Sequence, residues 1–175
     1  MLTLNLAKIR TSDEHFEREY APEAIQAERE TFRVASPVTL AFDLHKEKDT
    51  FHLAGRVTAT LELPCSRCLE SYQIPVDAPF DLRYQPRQAD ESGGGERELA
   101  PDDIDTAYYE NDEIDLGQLM LEQFYLALPM KPLCGDDCRG LCSNCGTNWN
   151  KSSCSCTVQW EDPRLAALKT LKKDS

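Results

Sequence analysis

Eight cysteines fall as four close pairs, Cys65/Cys68, Cys134/Cys138, Cys142/Cys145 and Cys154/Cys156, and nothing else in the chain restricts its folding so tightly. A tetrahedral metal ion takes four donors, and a short Cys-x-x-Cys loop supplies two soft sulfurs along one edge of the tetrahedron. Four pairs therefore imply two complete four-thiolate sites, with Cys65, Cys68, Cys134, Cys138, Cys142, Cys145, Cys154 and Cys156 as the metal ligands. Six of the eight lie within the 23 positions from Cys134 to Cys156.

The settings of the pairs separate metal binding from redox chemistry. Cys65-Ser-Arg-Cys68 stands between two strand-like runs, and no helix follows at once to lower a thiol pKa, so it reads as a metal knuckle rather than a thioredoxin-type pair. In Cys142-Ser-Asn-Cys145-Gly146 the glycine permits the tight turn that aims backbone N–H groups at sulfur. The preferred grouping is Cys142, Cys145, Cys154 and Cys156 in one site. The other takes Cys65 and Cys68 with Cys134 and Cys138, which would clip the tail to the sheet; the spacing leaves other groupings open. From Leu133 to Trp160 the large apolar residues are Leu133, Leu141, Trp149, Val158 and Trp160, too few for a core. Structural zinc contributes about 10–16 kcal/mol in small peptides, as much as the roughly 5–15 kcal/mol by which a whole domain is stable. Zn2+ suits the paired knuckle spacing better than an iron–sulfur cluster. With every ligand position filled by protein, both sites read as structural, with no catalytic residue.

Charge narrows the partners. The 175 residues carry a net charge of −12. Between Gln85 and Asp115 there are eleven acidic residues against Arg87 and Arg97, whereas Lys131 to Ser175 holds seven basic and five acidic. Each four-thiolate zinc centre would add a net charge of about −2. Such a chain is a poor general binder of phosphate backbones, and a basic protein partner fits it better. No apolar window of about 18 residues exists to span a membrane. Met1 to Arg10 alternates apolar and polar and reads as a strand, not a secretion signal. The expected compartment is the reducing cytoplasm, where clustered thiols hold metal more often than disulfides.

The periodicity predicts an α+β fold: a mainly antiparallel β-sheet with one packing helix and a small zinc-stapled C-terminal module. Val38 to His45 and Phe51 to Leu63 alternate cleanly and predict an antiparallel hairpin with one buried face. Tyr72 to Tyr84 keeps the period of two, but Pro75 and Pro79 mark an edge or broken strand. Asp13 to Tyr20 reads as a polar connection, and Thr106 to Tyr109 as a short strand. Asp115 is an N-cap for a helix ended by Pro129. The expected layout is a sheet domain over 1–130, with helix 115–128 and a flexible acidic loop over 85–105, then a zinc module over 131–160. Residues 161–175 close the chain as a short helix begun by Asp162-Pro163, with Leu165, Leu168 and Leu171 on one stripe. No internal repeat is evident.

Other candidate groups read as scaffold. His45 and His52 flank one turn, with His15 apart, and they read as a solvated pair. Glu110 to Asp115 reads as a hydrated charge run ending in the helix cap, and Gly93-Gly94-Gly95 as a linker rather than a phosphate loop. Tyr72, Tyr84, Tyr108 and Tyr109 read as packing residues of strands.

Taken in order, Cys65-Ser-Arg-Cys68-Leu69, an acidic loop, a helix ending in Leu126-Ala-Leu-Pro129, Cys134-x3-Cys138-Arg-Gly-Leu-Cys142-x2-Cys145-Gly-Thr-Asn148-x-Asn150 and Cys154-x-Cys156 resemble the YceD family of bacterial and plastid proteins. The resemblance implies a part in the accumulation or processing of large-subunit (23S) ribosomal RNA, and a gene neighbour encoding a small basic ribosomal protein. It carries over no catalytic residue, only a metal-binding role for the cysteines. The resulting expectation is a non-enzymatic factor for 23S rRNA and large-subunit assembly. Its partner would be a basic ribosomal protein or a subunit precursor, shielded by Asp90 to Asp115, with Trp149 and Arg139 as exposed contacts and no small-molecule substrate. The rival is direct rRNA contact through Arg139, Trp149, Lys151 and the terminal Lys169, Lys172 and Lys173. A third reading makes the paired thiols redox-active.

Overall fold

The computed structural model describes residues 2–25, 31–87 and 106–156. The chain divides into two compact units, Met1–Pro64 with Ser71–Pro132, and Cys65–Glu70 with Leu133–Ser175. Among the described residues the first unit is α+β, with strands β1 (Thr3–Asn5), β2 (Asp13–Tyr20), β3 (Arg33–Val34), β4 (Val38–Glu47), β5 (Thr50–Pro64), β6 (Ser71–Pro86), β7 (Thr106–Tyr109) and β8 (Glu113–Asp115), then helix α1 (Leu116–Ala127).

The main sheet runs β2-β4-β5-β6-β7, with β3 on β5. Alternation is its cause: on β4, Val38, Leu40, Phe42 and Leu44 are buried while Asp43 and His45 are exposed. A two-residue connection at Lys48, φ +55°, returns the chain into β5. β5 and β6 pair along their length from Phe51↔Tyr84 to Pro64↔Ser71. The core under this sheet includes Phe42, Leu53, Leu61, Phe80 and, from α1, Leu119, Met120 and Phe124.

Helix α1 starts where expected. Asp115 caps it, its carboxylate accepting the Gln118 N–H at 3.0 Å, and its last turn closes with Leu128 N–H on the Phe124 carbonyl before Pro129. Its apolar stripe packs against β6 and β1.

Several expectations change. Asp13–Tyr20 is an edge strand rather than a polar connection, and Phe16 stacks on Phe42 at 5.1 Å between ring centres. Its outer residues are charged, as suits an edge, and that charge masks the period. β6 is unbroken despite its prolines, because β7 pairs only with Arg83–Pro86 and leaves the outer edge at Pro75 and Pro79 without a ladder to interrupt. That β7 pairing is parallel, so the sheet is mixed. Among the described residues up to Arg10 the strand is Thr3–Asn5, which pairs with Glu113–Asp115 in a second sheet of two strands. Ile114 is buried there, so Glu110 to Asp115 is partly a strand and not only a hydrated run. The expectations of an acidic loop beyond Arg87, through Asp90 and the glycine run to Asp105, and of a helix over 161–175 fall outside the described residues.

Gly55 sits opposite Phe42 and Phe80 in the centre of the sheet. An added Cβ would lie 2.2 Å from the Ala41 carbonyl oxygen and 2.5 Å from Phe42 Cβ. Gly55→Ala is therefore expected to destabilise the protein by about 1–3 kcal/mol, read from the midpoint of denaturant unfolding.

Candidate metal centres

Two hexapeptides, Cys65–Glu70 and Cys142–Thr147, fold identically in their hydrogen bonds. In the first, Cys65 N–H donates to the Glu70 carbonyl and Leu69 N–H to the Cys65 carbonyl, each at 2.9 Å. In the second, Cys142 N–H donates to Thr147 and Gly146 N–H to Cys142, again at 2.9 Å. The fifth residue is left-handed in both, Leu69 at φ +61° and Gly146 at φ +73°. Both read Cys-Ser-x-Cys, so the chain does contain a short structural repeat, against the expectation of none.

Each knuckle meets a second cysteine pair. The sulfurs of Cys65, Cys68, Cys134 and Cys138 all lie within 4.8 Å of one another, as do those of Cys142, Cys145, Cys154 and Cys156. This is the grouping that the spacing favoured. Cys65 and Cys138 sulfurs are 3.7 Å apart, as are those of Cys68 and Cys134. A tetrahedron with metal–sulfur bonds of about 2.3 Å has an edge of about 3.8 Å, whereas a disulfide closes to about 2.05 Å. All eight cysteines are free, and the donor set fits a thiophilic tetrahedral ion. The first tetrad is the drier: Cys65, Cys68 and Cys138 are buried and Cys134 exposed. In the second only Cys142 is buried.

Polar groups around the sulfurs stabilise negative charge on some of them. Arg67 N–H points at Cys65 Sγ at 3.4 Å, the Asn150 amide donates to Cys138 Sγ at 3.3 Å, and the Trp149 indole N–H donates to Cys154 Sγ at 3.4 Å. The Thr147 hydroxyl lies 3.0 Å from Cys145 Sγ. Burial opposes ionisation of Cys65, but the N–H groups of Cys68, Cys134 and Arg67 outweigh it and bring the thiol down to about 6. Thr147, by its hydroxyl and then its N–H, brings Cys145 down to about 6. Asn150 lowers Cys138, and Trp149 lowers Cys154. Their neighbours bear the consequence: Cys138 and Cys68 push Cys134 up to about 12, and Cys145 does the same to Cys156.

Further residues lock the second unit. The Arg67 guanidinium donates to the carbonyls of Asp136, at 3.3 Å, and Cys138, at 2.9 Å. Glu70 accepts from Lys151 at 2.7 Å and from the Asn148 amide at 3.4 Å. Sequence reasoning assigned no chemistry to Arg67, Glu70, Asn148 or Asn150, although Asn148-x-Asn150 stood in the motif; a thiolate's need for N–H donors was the available signal. Trp149 is half-buried against Cys154 rather than an exposed contact, while Arg139 is exposed.

The histidines are less scattered than the sequence suggests. His45 faces His52 across β4 and β5, yet each takes an aspartate instead: His45 Nδ1 lies 2.7 Å from Asp13, His52 Nε2 2.5 Å from Asp81, and His15 Nδ1 2.7 Å from Asp43. These pairs are exposed surface links of small energetic weight. Tyr84 and Tyr109 are buried as strand packing residues, and Tyr108 is exposed.

A family model described as "Large ribosomal RNA subunit accumulation protein YceD" matches residues 53–172. The chain is 25% identical over 158 residues to "Large ribosomal RNA subunit accumulation protein YCED homolog 1, chloroplastic" of Arabidopsis thaliana, covering 79% of this chain and 49% of the relative. The protein of the same description from Zea mays is 27% identical over 77% of this chain and 54% of its own length. An uncharacterized protein of Bacillus subtilis, YlbN, is 28% identical over 67% of this chain and 64% of its own length. The chain thus spans about half the length of the two plant relatives. No solved structure matches.

Leucine in the left-handed region costs about 1–2 kcal/mol, against roughly 0.5–1 kcal/mol of chain entropy for glycine. Leu69→Gly is therefore expected to raise stability by up to about 1 kcal/mol in thermal unfolding of the metal-loaded protein, since Leu69 is largely exposed and gives up little burial. Metal uptake near neutral pH should release protons, detectable in weak buffer, because Cys134 and Cys156 at about 12 still hold theirs. The sign for Cys65 and Cys145 follows from their lowered pKa. Their contribution to folding is full above the unfolded thiol value of 9.0 and lost as pH falls through about 6, so the denaturant midpoint of the zinc-free chain should fall over that window.

Proposed function

The chain belongs to the YceD family, and from that membership we propose that it is a non-enzymatic, zinc-stapled factor supporting the synthesis, processing or stability of large-subunit (23S) ribosomal RNA. The names of its plant relatives describe accumulation of the large ribosomal RNA subunit and support the rRNA part of the reading. The observation that carries the non-enzymatic part is the closure of both tetrads: four cysteine sulfurs each, so that a tetrahedral ion has no place for water or substrate. All eight cysteines are the proposed zinc ligands. The chain's own residues do the rest: the twin knuckles orient two sulfurs per site, Arg67 and Thr147 reach the knuckle sulfurs of Cys65 and Cys145, and Asn150 and Trp149 reach Cys138 and Cys154 of the other two pairs.

The proposed partner is a basic ribosomal protein or a large-subunit precursor. The net charge of −12 supports it. So does the use of cations within the second unit, where Lys151 is bound to Glu70 and the Arg67 guanidinium to backbone carbonyls. Direct rRNA contact would rely on Arg139 and on Lys169, Lys172 and Lys173, the last three outside the described residues.

Affinity purification of the full chain from bacterial extract in moderate salt separates these readings. The expected result is recovery of one or more basic large-subunit proteins that survives ribonuclease treatment. Recovery lost to ribonuclease and falling steeply with salt would assign the contact to rRNA. Recovery of neither ribosomal protein nor precursor particle would overturn the proposal.

A further inference from the structure

The turn Asn148–Lys151 reaches both tetrads with neighbouring side chains. The Trp149 indole N–H is 3.4 Å from Cys154 Sγ, in one tetrad, and the Asn150 amide is 3.3 Å from Cys138 Sγ, in the other. The turn is itself held by the segment between the tetrads. Trp149 N–H donates to the Gly140 carbonyl at 2.9 Å, Asn150 Oδ1 accepts the Arg139 N–H at 2.7 Å, and Leu141 bridges to Asn148. On its far side Lys151 and Asn148 both bind Glu70, which closes the first knuckle.

The chain between the tetrads is correspondingly short. Cys138 and Cys142 belong to different tetrads, with only Arg139, Gly140 and Leu141 between them. Gly140 is left-handed at φ +75°, and a Cβ on it would lie 3.1 Å from the Arg67 carbonyl oxygen. Ordering Cys138 therefore orders the backbone that carries Cys142, and the reverse holds equally.

Resting on the zinc ligation proposed above, we propose that the turn Asn148–Lys151, with the Arg139–Leu141 link beneath it, ties the two thiolate tetrads into one binding unit, so that the second zinc ion is taken up more tightly than the first. The physical basis is shared ordering. Filling either tetrad fixes Asn148–Lys151, and the entropy of fixing it is then not lost again when the other tetrad fills. Repulsion between two anionic centres acts in the opposite direction, and in solvated surroundings at physiological salt it is screened. Trp149 and Asn150 are positioning residues in this scheme, since each acts through a sulfur.

Native mass spectrometry of the full chain, titrated with zinc alone below two equivalents, tests the proposal. Zinc-free and two-zinc chains should dominate, with the one-zinc form minor at every point. A one-zinc form that becomes the main species at half-loading would overturn it. Trp149→Phe keeps an aromatic ring but offers no N–H to Cys154, and Asn150→Ala removes the amide from Cys138. Each should raise the one-zinc fraction several-fold at half-loading, with the circular dichroism of the β-sheet unchanged. If neither variant raises that fraction, the turn does not couple the tetrads and that role is overturned.

Discussion

Four sulfurs with neighbours 3.7 Å apart cannot all carry charge unless a cation sits among them. The second unit lives under that constraint. Its described residues supply none of the aliphatic or aromatic side chains of the buried core; its buried members are Cys65, Cys68, Cys138, Cys142 and Gly140. Hydrogen bonds from Arg67, Asn150, Trp149 and Thr147 place negative charge at chosen sulfurs, and their partners at Cys134 and Cys156 keep protons. An arrangement so poised would offer a divalent ion a thiolate at Cys65 and at Cys145, and a proton to displace at Cys134 and at Cys156. The first unit needs none of this, because alternation on β4, β5 and β6 already gives it an apolar interior.

The pairing of β4 with β5, the cap at Asp115 and the four cysteine pairs were all legible, because each rests on a local signal of fixed period or spacing, whereas the spacing left more than one grouping of the pairs into tetrads open. What escaped notice rests on partners distant in sequence. β2 was hidden because an edge strand is free to carry charge on its outer residues, so Glu14, Phe16 and Tyr20 showed no clean alternation. The prolines of β6 were read correctly as an edge feature but wrongly as a possible break. Only the short reach of β7 explains why sixteen residues stay continuous. Likewise β8 needs Thr3–Asn5 beside it, and three residues are too few to announce a strand. In the candidate site the sulfurs were legible and their hydrogen-bond donors were not. Cysteine spacing is diagnostic of metal geometry, whereas an Asn or Trp nearby has many other uses.

The twin knuckles show how one local solution serves two different surroundings. Cys65–Glu70 and Cys142–Thr147 share every backbone bond described above, yet the first sits between two long strands and the second between two short cysteine segments. The difference appears at the fifth residue, where Gly146 accepts a positive φ without strain and Leu69 does not.

The first tetrad is also the one that joins residues far apart, its sulfur contacts spanning 66 and 73 positions, while the second closes within the stretch from Cys142 to Cys156. During synthesis the hairpin thiols leave the ribosome first and wait on the order of several seconds for their partners, at about 5–20 residues per second. Over that interval Cys65 and Cys68 are a two-coordinate half-site, open to thiol oxidants and to competing soft metals. The nascent chain is thus most chemically exposed at the very sulfurs that end up most deeply enclosed.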